Sequence, residues 1–493
     1  ITALEGGLVA FVAPGVQNTG IINARLGKVS LAAGNTFTLD LYGDQLVNLG
    51  VDSEVIESVT GIDGEQLKSL LSNTGSIYAD GGTVAMDVRT AQGLIDGVIN
   101  MSGYIQARSI AKKNGSIYLT GGNEGLVSVS GNIDATGLGT NETGGIVHVL
   151  GNRVGLYDYA RIDVSGDAGG GLILVGGDYQ GLGFIPTAVD NYVGPNVSIF
   201  ADAVTGGDGG RTIFWADRRT EFFGTIKARG GRLFGDGGFA EVSGKEELYF
   251  VGSVDTTAPN GKSGTLLLDP DYITVSGGSG TASASGASSF TTYEDILESV
   301  ASTTNIEMIA TNSITFNNSL SFAQTAGQSV TFTATNGNIS VTDSSDTIET
   351  SGGSIIMTAG GTLSIGAVDT NGGDITLTGA EFTLSGALDA GVGTVTILGA
   401  SGETIGLDGT TASTTASTIS TICNGSACGL TLIQSELSNI TAAKLVIGDD
   451  SAGNMYVDGV TLSHISGGTT LNSSGSSGSV EFGTGDTTIK KVT

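Results

Sequence analysis

The feature that most limits what this chain can become is its self-similarity. Residues 18–31 (NTGIINARLGKVSL) and 73–86 (NTGSIYADGGTVAM) align without a gap. The shared pattern is a small residue, a hydrophobic centre two positions on, a glycine turn, then alternating hydrophobics. It recurs as GYIQA from Gly103, GNIDA from Gly131, ARIDV from Ala160, GTIKA from Gly224 and GSVDT from Gly252. The pattern centres on Ile22 in its first occurrence. The centres Ile77, Ile105, Ile133 and Ile162 follow at spacings of 28, 28 and 29, and Ile226 and Val254 are again 28 apart. Further on the period shortens, with Ile355, Ile375 and Val395 spaced by 20. Periods of this size mark solenoids, propellers or arrays.

Alternation chooses among them. Runs such as ISVTD and ITLTG alternate with period 2, which puts one face of a strand inside and the other outside. No amphipathic helix recurs in each unit, which argues against helical and leucine-rich solenoids. The aromatic signatures of propeller blades are absent as well. Two or three short strands per 20–28-residue coil fit an all-β, right-handed parallel β-helix. In that fold the repeat isoleucines stack on one another, and glycine is expected at φ > 0 corners. We place the longer repeats in residues 1–270 and the shorter ones in 271–493. Helical excursions are expected near 53–72 (SEVIESVTGIDGEQLKSLL) and at 293–301 (YEDILESVA), and a loop near 178–197.

Composition narrows the function. The net charge is -29; residues 1–270 hold 17 Lys+Arg against 29 Asp+Glu, and 271–493 hold 3 against 20. Nucleic-acid binding needs a basic footprint and is not expected. No stretch reaches the roughly 18 apolar residues of a membrane span. The chain starts at Ile1 without a signal peptide, so we expect a processed or truncated piece of something longer. Its two cysteines, Cys423 and Cys428, lie in CNGSAC. With only His148 and His464 as imidazoles, a zinc site is not expected. A local disulfide suited to an oxidising compartment is the first reading, and two free thiols in a turn the alternative.

The runs GGLVAFVAPGVQNTGIINARLGKVSLAAG, DAGGGLILVGGDYQG (167–181), FWADRRTEFFGTIKARGG (214–231) and GDGGFAEVSGKEELYFVGSVDTTAPNGKSGTLLLDP (235–270) occur in that order. In them the chain resembles the filamentous-haemagglutinin-like exoproteins of two-partner secretion systems, large surface proteins of Gram-negative bacteria. The resemblance covers residues 1–270; 271–493 share only the repetitive character. It implies export through an outer-membrane transporter partner. It also implies a secreted or cell-surface location and a role in adhesion, aggregation or biofilm. The receptor would be a glycan or protein on a host or neighbouring cell. Family members carry an NPNG-type motif in an N-terminal secretion domain. This chain has only APNG from Ala258, a different element, so it is expected to start just after that domain.

β-Helices also carry carbohydrate-active enzymes, whose sites cluster carboxylates with Arg or Lys on one face of neighbouring coils. The candidates flank the repeat centres: Asn23, Gln106, Asp134, Asp163, Lys227 and Asp255. A solvated outward row accounts for them, and no catalysis is expected. Glycine-rich GGDGG (206–210) and GDGG (235–238) allow calcium, but tight turns explain them without a cofactor. Trp215 with Phe222 and Phe223 could form a sugar platform, against a plain packing role. Arg218, Arg219, Arg229 and Arg232 could hold anionic glycans; pairing with Asp217, Glu221 and Asp236 is the simpler account. A filament subunit that associates with copies of itself, end to end or laterally, and a carbohydrate-active enzyme are the alternatives to an adhesin shaft.

Overall fold

The computed structural model describes residues 1–40, 48–61, 64–278, 290–409, 423, 428–473, 478–483 and 485–490. It is an all-β parallel β-solenoid in two compact units, Ile1–Asp269 and Pro270–Thr493.

In the N-terminal unit a coil is three short strands separated by glycine and polar turns. One coil runs Ser116–Thr120, Leu126–Val129 and Asn132–Asp134; the next runs Ile146–Leu150, Arg153–Leu156 and Arg161–Asp163. Each strand pairs in parallel with its equivalent one coil away. One wall is an eight-stranded sheet whose register joins the repeat centres directly. Ile22 faces Ile77, then Ile105, Ile133, Ile162, Ile199, Ile226 and Val254. All eight are buried. Ile199 belongs to the column although it lies 37 residues beyond Ile162, because the connection before it is long.

The glycines that open each repeat have a different job from the one expected. Gly75, Gly103 and Gly131 are not at positive φ. A Cβ on each would lie 2.1, 2.2 and 2.0 Å from the carbonyl oxygen of the equivalent glycine one coil back. Coil-to-coil approach forces glycine here. Positive φ serves other turns, such as Gly81 and Gly122.

The helical excursion expected near 53–72 is not formed. Val55 bridges Thr90, Thr60 bridges Gln66, and Ser69–Asn73 is a strand of the stack. Leu70 and Leu71 are buried there, whereas Ile56 is 66% exposed. Inter-coil pairing overrode a weak helical pattern. The stretch 178–197 is only partly loop: it holds a 3-10 turn at Tyr179–Gly181 and a strand at Ala188–Val193 that pairs with Arg153–Leu156 and Arg211–Phe222.

The C-terminal unit repeats the plan with shorter coils. Val330, Ile355, Ile375, Val395 and Leu445 stack in register, all fully buried. The expected helix near 293–301 is a short one, Glu294–Glu298, with Leu297 buried; a second helix is Gln434–Ser438. Cys423 and Cys428 are joined as a disulfide beside Gly406, where a Cβ would strike the Cys428 Sγ.

Candidate binding surface

Alternation along the repeat strands sends the residue after each core isoleucine outward. The outward column runs Asn23, Tyr78, Gln106, Asp134, Asp163, Phe200, Lys227, Asp255. All six residues singled out from the sequence therefore lie on one line. Gln106, Asp134, Asp163 and Asp255 are tied by hydrogen bonds and ion pairs rather than loosely solvated. Arg108 donates to Asp134 Oδ2 from Nε at 2.9 Å and Nη2 at 2.7 Å, and Tyr104 Oη donates to the same oxygen at 3.0 Å. Gln106 donates to both oxygens of Asp80, at 2.9 and 2.8 Å. Burial alone would raise the Asp134 carboxyl, but bonds from Arg108 and from Thr136 outweigh it and hold it below its ordinary value. Burial, and then the Asp134 charge, push Tyr104 up to about 12. Arg161 pairs with Asp163 at 2.5 Å and lies 3.9 Å over the Phe200 ring. A carboxylate with its lone pairs already engaged is a poor general base, so the row acts as a brace between coils.

The glycine-rich loops brace as well. Asp208 Oδ1 accepts the Asp236 N–H, and Asp236 Oδ1 accepts the Lys262 N–H, both at 2.7 Å. Among the described residues no group of three or more His, Cys, Asp or Glu is close enough to hold a metal.

Three of the four arginines found by sequence are paired, mostly with partners other than those expected; Arg232 is exposed and makes no ion pair with a described residue. Arg218 binds Asp190 at 2.5 Å. Arg219 binds Glu247 at 2.5 Å and Glu221 at 3.0 Å. Arg229 binds Asp202 at 2.8 Å. Most of these partners lie a coil away, where parallel register puts residues about 28 apart side by side. Asp217 instead accepts from Trp215 Nε1 at 3.1 Å and from Thr187.

Trp215 is only 5% exposed, so its ring is not offered to a ligand. It packs with Leu174 and Ile213 on the outside of the solenoid wall, covered by Tyr179 and Ile185. Phe222 is buried in the core against Phe214 and Phe250, and Phe223 lies beside Tyr192. The segment 178–185 is thus a strap over an external apolar cluster. Under it lies Glu241, register mate of Ile213 and fully buried. Glu241 Oε1 accepts the Gln180 N–H at 3.0 Å, and Oε2 has no partner. Burial pushes this carboxyl up to about 8, so it is a neutral acid at pH 7. Gln180 is held at φ 53° and also donates to Asp269 at 2.8 Å. Sequence reading missed Glu241. Its one signal was an acid at an outward position of a strand, FAEVSG, facing a long connection. His148, three coils earlier in the same outward row, is edge-on to Tyr118, and burial lowers its pKa.

No protein-family model matches the chain, and no curated protein matches it.

Proposed function

We propose that this chain is the β-solenoid shaft of a secreted, cell-surface adhesin of the filamentous-haemagglutinin type, exported through an outer-membrane transporter partner. Adhesion or aggregation would run through a glycan or protein receptor on a host or neighbouring cell. The observation that most supports the reading is the unbroken inter-coil register from Ile22 to Val254, with inter-coil braces such as Arg108 to Asp134 along its outward face. Such a stack gains stability by adding coils, each contacting only its neighbours. It suits a protein that must hold surface away from a cell. The resemblance of residues 1–270 supports an extracellular setting, with which the Cys423–Cys428 bridge is compatible.

The test is made in the producing bacterium. Antibody against this chain should label intact cells, and external protease should remove the label. Deleting the transporter partner should abolish labelling and reduce aggregation or attachment. Label found only after cell lysis, with attachment unchanged by deletion of the protein, rejects the reading.

A further inference from the structure

Beyond the outward braces, the N-terminal unit carries a trough built in part from the glycine-rich runs at 206–210 and 235–238. Successive coils place paired small residues at one corner: Gly170 and Gly171, Gly209 and Gly210, Gly237 and Gly238, then Ser263 and Gly264. The glycines are demanded by stacking. A Cβ on Gly171, Gly210, Gly238 or Gly264 would lie 2.0 to 2.3 Å from a carbonyl oxygen of the coil before. The consequence is a floor almost without side chains, opening into a cleft of about 530 Å³.

Its walls are chemically distinctive. Arg211, Phe239 and Thr265 are register mates on three successive coils, and Lys262 stands just before Thr265 on the last. The Arg211 guanidinium lies 4.8 Å from both the Tyr179 and Phe239 ring centroids, which fixes its plane. Most arginines of this acidic protein are ion-paired. Arg211 and Lys262 have no carboxylate within ion-pairing reach among the described residues. Asp236 also lines the cleft, with Oδ1 bound to the Lys262 backbone N–H. Glu241 interacts with Arg211 but carries little charge at neutral pH. Two coil steps separate Arg211 from the last coil, about 10 Å along the stack.

We infer that this trough binds a linear acidic polysaccharide, laid along the stack over Phe239 with its anionic groups on Arg211 and Lys262. An extended acidic peptide fits less well. Peptides that dock in extended form draw affinity from main-chain hydrogen bonds. Here the floor amides are already spent: Gly170, Gly209 and Gly237 donate to Asp208, Asp236 and Lys262 carbonyls, and Gly171, Gly210 and Gly238 to Val164, Ala201 and Ala228. An aromatic ring beside fixed cations suits a sugar ring bearing a carboxylate or sulfate. The inference rests on the adhesive reading for its biological sense, but binding belongs to the isolated protein.

The test uses the purified 493-residue chain with immobilised oligogalacturonate, heparin oligosaccharide, neutral dextran and poly-glutamate, in low and moderate salt. At least one acidic glycan should bind and dextran should not. The arm that binds tells carboxylate from sulfate. Arg211→Gln with Lys262→Gln should weaken binding tenfold or more. Lys262→Gln alone, at an exposed position, should give part of that loss even if the double variant is unstable. Phe239→Leu should weaken glycan binding several-fold and leave poly-glutamate unchanged, and Arg218→Gln should do nothing. The inference is overturned if neither acidic glycan binds, or if binding ignores Lys262→Gln and the double change. It is also overturned if poly-glutamate binds as tightly and responds identically to Phe239→Leu. These outcomes are independent of whether the protein reaches the cell surface.

Discussion

The two units solve one problem, fastening coil to coil outside the core, with different chemistry. In the N-terminal unit charge does much of it: Arg108 to Asp134, Arg218 to Asp190, Arg219 to Glu247, Arg229 to Asp202. Every ion pair between described residues falls there. In the C-terminal unit the links run from side-chain oxygens to backbone N–H groups of the next coil. Asn305 accepts from Ser329, Asn338 from Thr362, Asp374 from Thr394 and Asn454 from Ser479, at 2.7 to 3.1 Å. Thr350 and Thr370 hydroxyls donate to carbonyls of their own turn and of the next coil. The sequence explains the choice. With 3 Lys+Arg against 20 Asp+Glu, residues 271–493 lack cations to pair. The fold therefore specifies its core strictly and its exterior loosely.

The core is where the units should behave alike, and the largest effect tests that. Ile133 and Ile375 are both fully or almost fully buried mid-column. Aspartate at either place buries an unpaired charge, a loss on the order of 4 kcal/mol. Hydrogen exchange on the whole chain should show each change loosening its own unit. An Ile133→Asp protein with parental protection would mean the column is misplaced.

A smaller effect separates them, because the described C-terminal residues include no counterpart of the strap over Glu241. The folded Glu241 carboxyl titrates at about 8 against an ordinary 4.5. Its folded pKa is raised, so the native strap holds a proton that the opened strap releases. The strap's stability is complete below pH 4.5 and drains as pH rises through 8, by roughly 3 kcal/mol or less. Exchange of amides 178–185, corrected for intrinsic rate, should rise between pH 6 and pH 9. In Glu241→Gln that rise should vanish. An unchanged pH response in Glu241→Gln would place the titrating group elsewhere.

These effects also mark how far the residues could be read in advance. Core columns were legible because stacking demands the same residue type at a fixed interval, and Ile105, Ile133 and Ile162 repeat it. Ile199 was hidden only by the long connection that became the strap. The outward row of Asn23 to Asp255 was legible by position. Its partners were not, since Arg108 reaches Asp134 through a register that exists only once coils stack. The helix expected near 53–72 failed because Leu70 and Leu71 satisfied a helical spacing and a buried strand equally well. The trough was invisible because its glycines looked like turns, and no local pattern tells a turn glycine from one squeezed against the next coil.

The disulfide belongs to the C-terminal unit alone. Cys423 and Cys428 are five residues apart, so the closed loop is short and the stabilisation is about 2 kcal/mol at most. Mild reductant should therefore loosen strands near Gly406 and leave residues 1–269 unchanged. Mass spectrometry of the exported protein should find neither thiol alkylatable before reduction.

Salt gives the smallest effect and the sharpest contrast. Arg108 is about half exposed, with 48% of its side-chain surface in solvent, while Asp134 retains 15%. Pairs of this kind contribute about 1 kcal/mol or less each, and ions screen them. Raising the salt from low to about 0.5 M should weaken the N-terminal braces by a small, summed amount. In the C-terminal unit the links end on backbone N–H groups and are mostly neutral, so they have little to screen, while the excess of carboxylates repels itself. Salt relieves that repulsion, so this unit should hold steady or tighten. Choosing chloride keeps the ion's own effect on apolar burial modest, since sulfate would strengthen both cores and blur the sign. Exchange rates mapped to each unit should then move in opposite directions. Arg108→Gln should make the coils around Asp134 lose most of their salt response, because the screened pair is gone. If both units respond to chloride with the same sign and size, charge is not what distinguishes their exteriors.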